Sequence, residues 1–412
     1  MPLRHLFVDM NAFFASVEQQ HDATLRDRPV AVIPTDAPTT ACIAASYEAK
    51  AFGVKTGTPV WAARKLCPKI VFRVADHRRY VTMHNRVVEA VNRVLPVDSV
   101  RSIDEVAIRL TGAERAPAAA KRAADDIRRA IRELCGECMR CSVGAGPNPL
   151  LAKVAADMRK PDGLTIIADA DLPVALYRLP LTDFPGVGPR MERRLKLYGI
   201  FTTEQFCQAP MRVLADVWGS KVMGERWFRV LRGEDVPDAP TRRQTVGHSH
   251  VLPPDLRTDA GAFGVLMRMV HKAAARLRKM NYWCGAISVG ATFLGTERGE
   301  SDWWGDGTRV PRCRDTQALV TAATKLWESR PRNLGAPFKV GTVLSDLVPA
   351  RSATPSLFDE DRQAEEISDA MDDVNAEFGA SVIHLGAMWG MQDAAPARIA
   401  FTQIPDFDRR VN

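Results

Sequence analysis

Nowhere in its 412 residues does the chain hold an apolar run long enough to cross a bilayer. Nor does it open on a signal-peptide pattern, because Asp9 interrupts the only early apolar run, Leu6-Phe7-Val8. A cytoplasmic protein with no membrane role is the expectation. Metal-binding cysteine patterns are nearly missing too. Eight cysteines are scattered along the chain, and only Cys135, Cys138 and Cys141 are spaced like metal ligands. No other Cys or His lies close enough in sequence to complete a tetrahedron. The group also runs from a helix end into a strand, which would splay alternate thiols apart. Reduced, buried, small side chains are the expected reading.

The length exceeds what one core supports, and roughly two to four domains are expected. A hydrophobic content of 46% is ordinary for a globular protein, while a net charge of +7 and a pI near 9.0 favour a polyanionic partner. Charge is segregated. Basic residues cluster at Arg190, Arg193, Arg194 and Lys196, at Arg242-Arg243, and at Lys272, Arg276, Arg278 and Lys279. Acids gather late, from Asp359-Glu360-Asp361 to Asp372-Asp373. This pattern suggests a nucleic-acid surface followed by an acidic tail.

The stretch Arg101 to Leu110 reads as a strand with apolar residues on both sides of Asp104-Glu105. Burying two adjacent carboxylates is costly unless a positive group compensates them, and a divalent cation is the usual one. Asp9, ending an apolar strand, is the obvious third carboxylate. On the pair alone, a strand end at the surface is the simpler account.

After Asp9 a helix is expected to start, with Asn11 as candidate N-cap and its backbone N–H groups available to an anion. Phe13 and Phe14 are adjacent and cannot both face one core, so one is free to meet a ligand. Tyr47 and Lys50 lie three residues apart on one side of a helical turn, a disposition that suits phosphate oxygens but is common on solvated helices. Strands over Ile70–Val74 and Cys141–Gly146 alternate with helices, including Pro117–Leu134, giving an α/β sheet packed on a helical layer. Lys160, beside Pro161, follows the next helix; a cation there suits the helix dipole or a bound phosphate.

Pro185-Gly186-Val187-Gly188-Pro189-Arg190 between two helical stretches reads as a helix-hairpin-helix, whose glycines let backbone N–H groups approach a DNA phosphate. Trp218-Gly219-Ser220-Lys221 resembles a degenerate second copy. Gly233–Pro240 reads as a linker. Beyond it the order strand, helix, strand, strand, helix, strand to Leu347 describes a split βαβ domain, with Trp303 and Trp304 expected in its core rather than on bases. Thr354-Pro355-Ser356-Leu357-Phe358 looks like a linear docking peptide, and Ile367–Phe378 like a helix in a less ordered tail.

Together these elements resemble the Y-family, or translesion, DNA polymerases, over Leu6 to about Pro349. The resemblance is carried by Phe7-Val8-Asp9-Met10 with Phe13-Phe14-Ala15-Ser16-Val17-Glu18, Tyr47-Glu48-Ala49-Lys50 with Phe52-Gly53-Val54-Lys55 and Gly57, Ser102-Ile103-Asp104-Glu105, Leu151-Ala152-Lys153 through Asp157-Met158, Lys160-Pro161 and Gly163, and Pro185-Gly186-Val187-Gly188. It implies an α+β multidomain right hand: a ferredoxin-like palm (1–20 and 70–165), small fingers (21–69), a helix-hairpin-helix thumb (166–233), a linker (234–241), a βαββαβ little finger (242–349) and a C-terminal tail (350–412). It implies low-fidelity translesion synthesis in the response to DNA damage, with two Mg²⁺ ions held by Asp9, Asp104 and Glu105 and the Met10 carbonyl. It further implies Phe13, Tyr47, Lys50 and Lys160 at the incoming dNTP, Phe14 as steric gate, and Gly186, Gly188 and Arg190 on primer-template DNA. Leu357 and Phe358 would bind a sliding clamp. A monomer is expected, with accessory mutagenesis proteins as possible partners. Small fingers, with Gly57 and Ala44 leaving room around the base pair, and the lack of a proofreading nuclease domain imply low processivity without a clamp.

The chain departs from the family pattern at Lys50, where Arg is usual, at Ala44, where a hydroxyl residue is usual, at Asn11, where Asp is common, and at Thr354, where the clamp peptide has Gln. Lys50 and Ala44 remove triphosphate contacts, since Lys cannot reproduce a guanidinium fork. The tail around Met371–Gly379 and the segment Gln244–Leu252 resemble the polymerase V catalytic subunit, and the choice between polymerase IV-like and V-like stays open. Rival readings are a non-catalytic DNA-binding scaffold, a helix-hairpin-helix nuclease or glycosylase, and a nucleotidyl cyclase.

Overall fold

The computed structural model describes residues 3–38, 40–237, 243–295, 301–331, 333–354, 359–395, 399 and 404–405. The chain divides into two units, Met1–Ala239 with Arg398–Phe407, and Pro240–Ala397 with Asp408–Asn412. The division falls within the expected linker.

Unit 1 begins with β1 (His5–Met10), α1 (Phe13–His21), β2 (Val30–Ile33), β3 (Ala44–Ala45), α2 (Tyr47–Lys50), α3 (Val60–Leu66), β4 (Val71–Val74) and α4 (His77–Asn92). It continues through β5 (Ser99–Val100), β6 (Glu105–Arg109), α5 (Pro117–Cys135), β7 (Cys141–Gly146), α6 (Pro149–Met158) and β8 (Leu164–Ile166). Four helices close it: α7 (Pro189–Leu197), α8 (Thr203–Gln208), α9 (Met211–Trp218) and α10 (Lys221–Val230).

The main sheet has the order β5-β6-β1-β7-β8, with β1 antiparallel to both neighbours and every residue of β1 and β7 buried. One face is covered by α4 and α5. In α5, Ala120, Ala124, Ile127 and Ile131 recur at helical spacing and are fully buried, and Pro117 starts the helix. Each isoleucine contributes roughly 1.5–3 kcal/mol by leaving water. The other face carries α6. Gly144 permits that contact: a Cβ there would lie 2.1 Å from the Ala152 carbonyl oxygen. A separate sheet, β3-β2-β4, has its own core of Ala31, Ile33, Cys42, Val54, Val60 and Cys67. The last four helices pack around Phe184, Leu195, Phe206, Leu214 and Trp227.

Several expectations need correction. Arg101–Leu110 is not one strand: β5 and β6 form a hairpin, with residues 101–104 as its turn. Ser102 Oγ lies 2.6 Å from Asp104 Oδ1, and such short-range side-chain bonds favour a turn over a ladder. Asn11 does not cap α1. Ala12, at φ 49°, takes that place, while the Asn11 side chain donates to Ser142 Oγ (3.0 Å) and accepts from the Asp162 N–H (2.7 Å). The first helix of the hairpin-like motif is only a 3-10 turn, Leu181–Asp183, before Gly186 (φ 96°) and α7. The linker starts pinned: Asp235 Oδ2 sits 3.2 Å from His5 Nε2 and 3.3 Å from Arg109.

Unit 2 follows the expected order: β9 (Val246–Val251), α11 (Asp259–Lys279), β10 (Tyr282–Leu294), β11 (Ser301–Cys313), α12 (Thr316–Glu328) and β12 (Ala336–Ser345). The sheet order is β11-β10-β12-β9, with α11 and α12 packed on one face. The tryptophans split between faces, as alternation along a strand requires. Trp304 packs on the core, whereas Trp303 is 73% exposed on the open face. The tail is more regular than its pattern suggests: α13 spans Asp359–Phe378. It docks through acids. Arg278, expected on a basic surface, is buried and holds Asp372 at 2.7 and 2.8 Å, and Arg314 holds Glu365 and Asp369 at 3.1 and 2.5 Å. Leu357 and Phe358 lie outside the described residues. Among the described residues no helix is long and apolar enough to cross a membrane; all eight cysteines are free and seven are buried, whereas Cys138, expected buried, is only half-buried.

Candidate active site

Antiparallel register brings the acids together. Asp9 pairs directly with Glu105, and the Met10 N–H donates to the Asp104 carbonyl at 2.9 Å. Along β1, Phe7 and Asp9 share the face under α6, with Ala107 and Glu105 opposite them on β6; Phe7 and Ala107 pack with Ala152 and Ala156. Lys153 therefore emerges from α6 directly over the acids. Its ammonium contacts Asp9 Oδ2, lies 2.6 Å from Glu105 Oε1 and 3.3 Å from Asp157 Oδ2. Lys160 follows beyond the helix end, 2.6 Å from Asp9 Oδ1 and 2.7 Å from Asp157 Oδ1.

Desolvation dominates the electrostatics. Burial pushes the Asp104 carboxyl above the usual range, with Ser102 pulling against it and Asp9 adding to it. Burial likewise raises Glu105, against the attraction of Lys153. For Lys153 burial lowers the pKa, but Asp9, Asp157 and Glu105 together more than offset it, and the ammonium is held charged. The donor set suits a hard divalent cation. Asp9, Asp104 and Glu105 offer oxygen only, and with Asp157 they make four carboxylates against two ammonium groups, leaving negative charge uncompensated. Among the described residues no three acids are already grouped as ligands, and Lys153 bridges Asp9 and Glu105.

The aromatic pair differs in burial, although both rings pack on one core. Phe13 is buried, whereas Phe14 is half-buried and stacks on Tyr80, centroids 4.4 Å apart. Tyr80 is fixed in turn, its hydroxyl donating to Glu18 Oε1 at 2.9 Å. On α2, capped by Ser46, the Lys50 ammonium lies 4.3 Å from the Tyr47 ring centroid. Burial lowers the Lys50 pKa, and Lys160 adds to this while Asp9 opposes it, so α2 borders the same charged centre. Gly186, Gly188 and Arg190 lie together at the start of α7, with Gly188 at its N-cap and Arg190 exposed.

The sequence motifs assign no role to Lys153, Asp157 or Tyr80, nor to the Asn11–Ser142–Asp162 link. Lys153 and Asp157 lie four apart on one face of α6, with Lys160 three further on, and that spacing is the available signal.

Residues 8–157 match the model of the impB/mucB/samB family, residues 243–357 the C-terminal domain of that family, and residues 182–235 the DNA polymerase-iota thumb domain. The DNA polymerase IV of Moorella thermoacetica is 34% identical over 386 residues, covering 92% of this chain and 94% of its own. That of Xanthomonas campestris pv. campestris is 38% identical over 255 residues, covering 61% of this chain and 70% of its own. A solved Y-family DNA polymerase chimera of Dbh and Dpo4 shares the fold, with a TM-score of 0.68 at 24% identity over 84% of this chain and 99% of that one. With a relative above 30% identity along nearly the whole chain and a right-hand polymerase fold, this chain belongs to the Y-family DNA polymerases.

Proposed function

We propose that the chain extends a DNA primer across damaged template by nucleotidyl transfer from dNTP, with Asp9, Asp104, Glu105 and the Met10 carbonyl holding two Mg²⁺ ions. The observation that carries this reading is the pairing of Asp9 with Glu105 in a buried sheet, with Asp104 in the adjoining turn. When bound, such a pair of ions would polarise the primer 3′-oxygen and stabilise the departing pyrophosphate. The remaining work belongs to the protein. Tyr47, Lys50 and Lys160 take the triphosphate, Phe13 supports the nucleotide site from the core, and Phe14 fills the space of a ribose 2′-hydroxyl. Gly186, Gly188 and Arg190 hold DNA phosphates without reading sequence. The palm comprises 1–20 and 70–165, the fingers 21–69, the thumb 166–233 and the little finger 242–349. Thr354–Phe358 serves as the clamp peptide, and the setting is cytoplasmic.

The test is primer extension with Mg²⁺ and dNTPs, wild type beside Asp104→Ala. Extension that disappears in the variant supports the reading. DNA binding without extension in the wild type would select the non-catalytic scaffold instead.

A further inference from the structure

Lys153 has no role in the reading above, yet three carboxylates hold its ammonium. Its side chain is 16% exposed, and its ammonium touches Asp9, Glu105 and Asp157 and lies 5.3 Å from the Phe7 ring centroid. Asp9 and Glu105 face each other across two paired strands, and the ammonium between them offsets the repulsion of two like charges held that close. A divalent ion between them needs the oxygens that the ammonium occupies. Asp157, one turn along the same helix, offers the ammonium another partner without a backbone shift.

We propose that Lys153 is a built-in counter-cation: it holds Asp9 and Glu105 together before a metal binds, and moves onto Asp157 as the ion enters. The proposal rests on Asp9 and Glu105 being metal ligands. It makes Lys153 a positioning residue that sets metal affinity, and Asp157 the partner that allows its departure. Lys160, which also reaches Asp9 and Asp157, competes for that partner and tunes the exchange.

The opposite signs of two substitutions test this. The full-length protein, without DNA or nucleotide, is titrated with Mn²⁺ and followed by electron paramagnetic resonance. Lys153→Met tightens binding by about tenfold or more, because the ion no longer displaces a charge. Asp157→Asn weakens it by about three- to tenfold, and in the Lys153→Met background that effect shrinks below about twofold. In chelator, Lys153→Met lowers the melting temperature, and Mn²⁺ closes the gap with wild type. Lys153→Gln carries the same comparisons should Lys153→Met not fold. Unchanged or weaker binding on loss of Lys153, or an Asp157→Asn effect of equal size in both backgrounds, overturns the proposal. Asp9→Asn separates the two ideas. If it binds Mn²⁺ like wild type, the ligand assignment itself fails and the proposal with it. If it loses Mn²⁺ while Lys153→Met gains nothing, only the counter-cation is refuted.

Discussion

The ring of Tyr80 lies against that of Phe14, 20° from parallel with centroids 4.4 Å apart. Tyr80 is fully buried and hydrogen-bonded to Glu18, which Arg79 also holds at 2.8 Å, so Phe14 is braced from behind. A braced ring excludes by volume, and Phe14→Ala should admit ribonucleotides. The loss of discrimination is expected at roughly 10–100-fold, matching the about 1–3 kcal/mol that steric overlap costs. Parallel primer extensions with rNTP and dNTP measure it, and unchanged discrimination removes Phe14 from the role.

Lys50 sits over the Tyr47 ring as a point charge. Arginine there would present a planar fork able to grip two phosphate oxygens. Lys50→Arg is therefore expected to lower the KM for dNTP by about three- to tenfold with little change in kcat. Steady-state single-nucleotide insertion gives both values; a raised KM would show that the site is shaped around the ammonium.

Gly188 has an ordinary negative φ, and a Cβ there would meet no atom within 4 Å. Among the described residues no neighbour would clash with a side chain at this position, and the proposed DNA contact is what a side chain there would obstruct. Gly188→Val should cost no more than the about 1 kcal/mol of a poorer N-cap and weaken duplex DNA binding about tenfold, the loss of one backbone–phosphate contact. Fluorescence anisotropy beside a melting curve separates the two; a destabilised protein with normal DNA affinity reverses the assignment.

His248, on β9, is pushed down to about 4 by burial and by Arg276 and Lys272. The unfolded chain takes up a proton near pH 6.5, where the folded one does not. The neutral ring's contribution is thus fully present above about pH 6.5 and is lost as the pH falls toward about 4, with a slope of at most about 1.4 kcal/mol per pH unit. Denaturant unfolding of wild type and His248→Gln at pH 8 and pH 5 checks this. Wild type should lose more stability than the variant on acidification, and a constant difference would discount the effect.

The clustering of Asp9 with Glu105, the less buried member of the Phe13-Phe14 pair and the order of unit 2 were legible because each leaves a local mark: a carboxylate ending an apolar run, adjacent aromatics on a helix, alternation and amphipathic period. What escaped was set by distant partners. Asn11 looked like an N-cap because local rules favour it there, but Ser142 and Asp162 claim its amide from 131 and 151 residues away. Asp104 looked like strand because its neighbours are apolar, yet Ser102 turns the chain. Arg278 looked like nucleic-acid surface until α13 folded back over it. Lys153 and Asp157 were in plain view on one helical face, but only the register of β1 with β6 shows what that face looks down upon.

The close seating of α6 on β7 at Gly144 has a bearing on tolerance. Backbone against backbone leaves no side chain to yield, so the helix bearing Lys153 and Asp157 and the sheet bearing Asp9 form one stiff block. Phe14, Tyr47 and Lys50 stand outside that block on more accessible ground. A misshapen base pair would press on the accessible side and leave the block undisturbed. Groups set on such a block keep their spacing when the accessible side shifts.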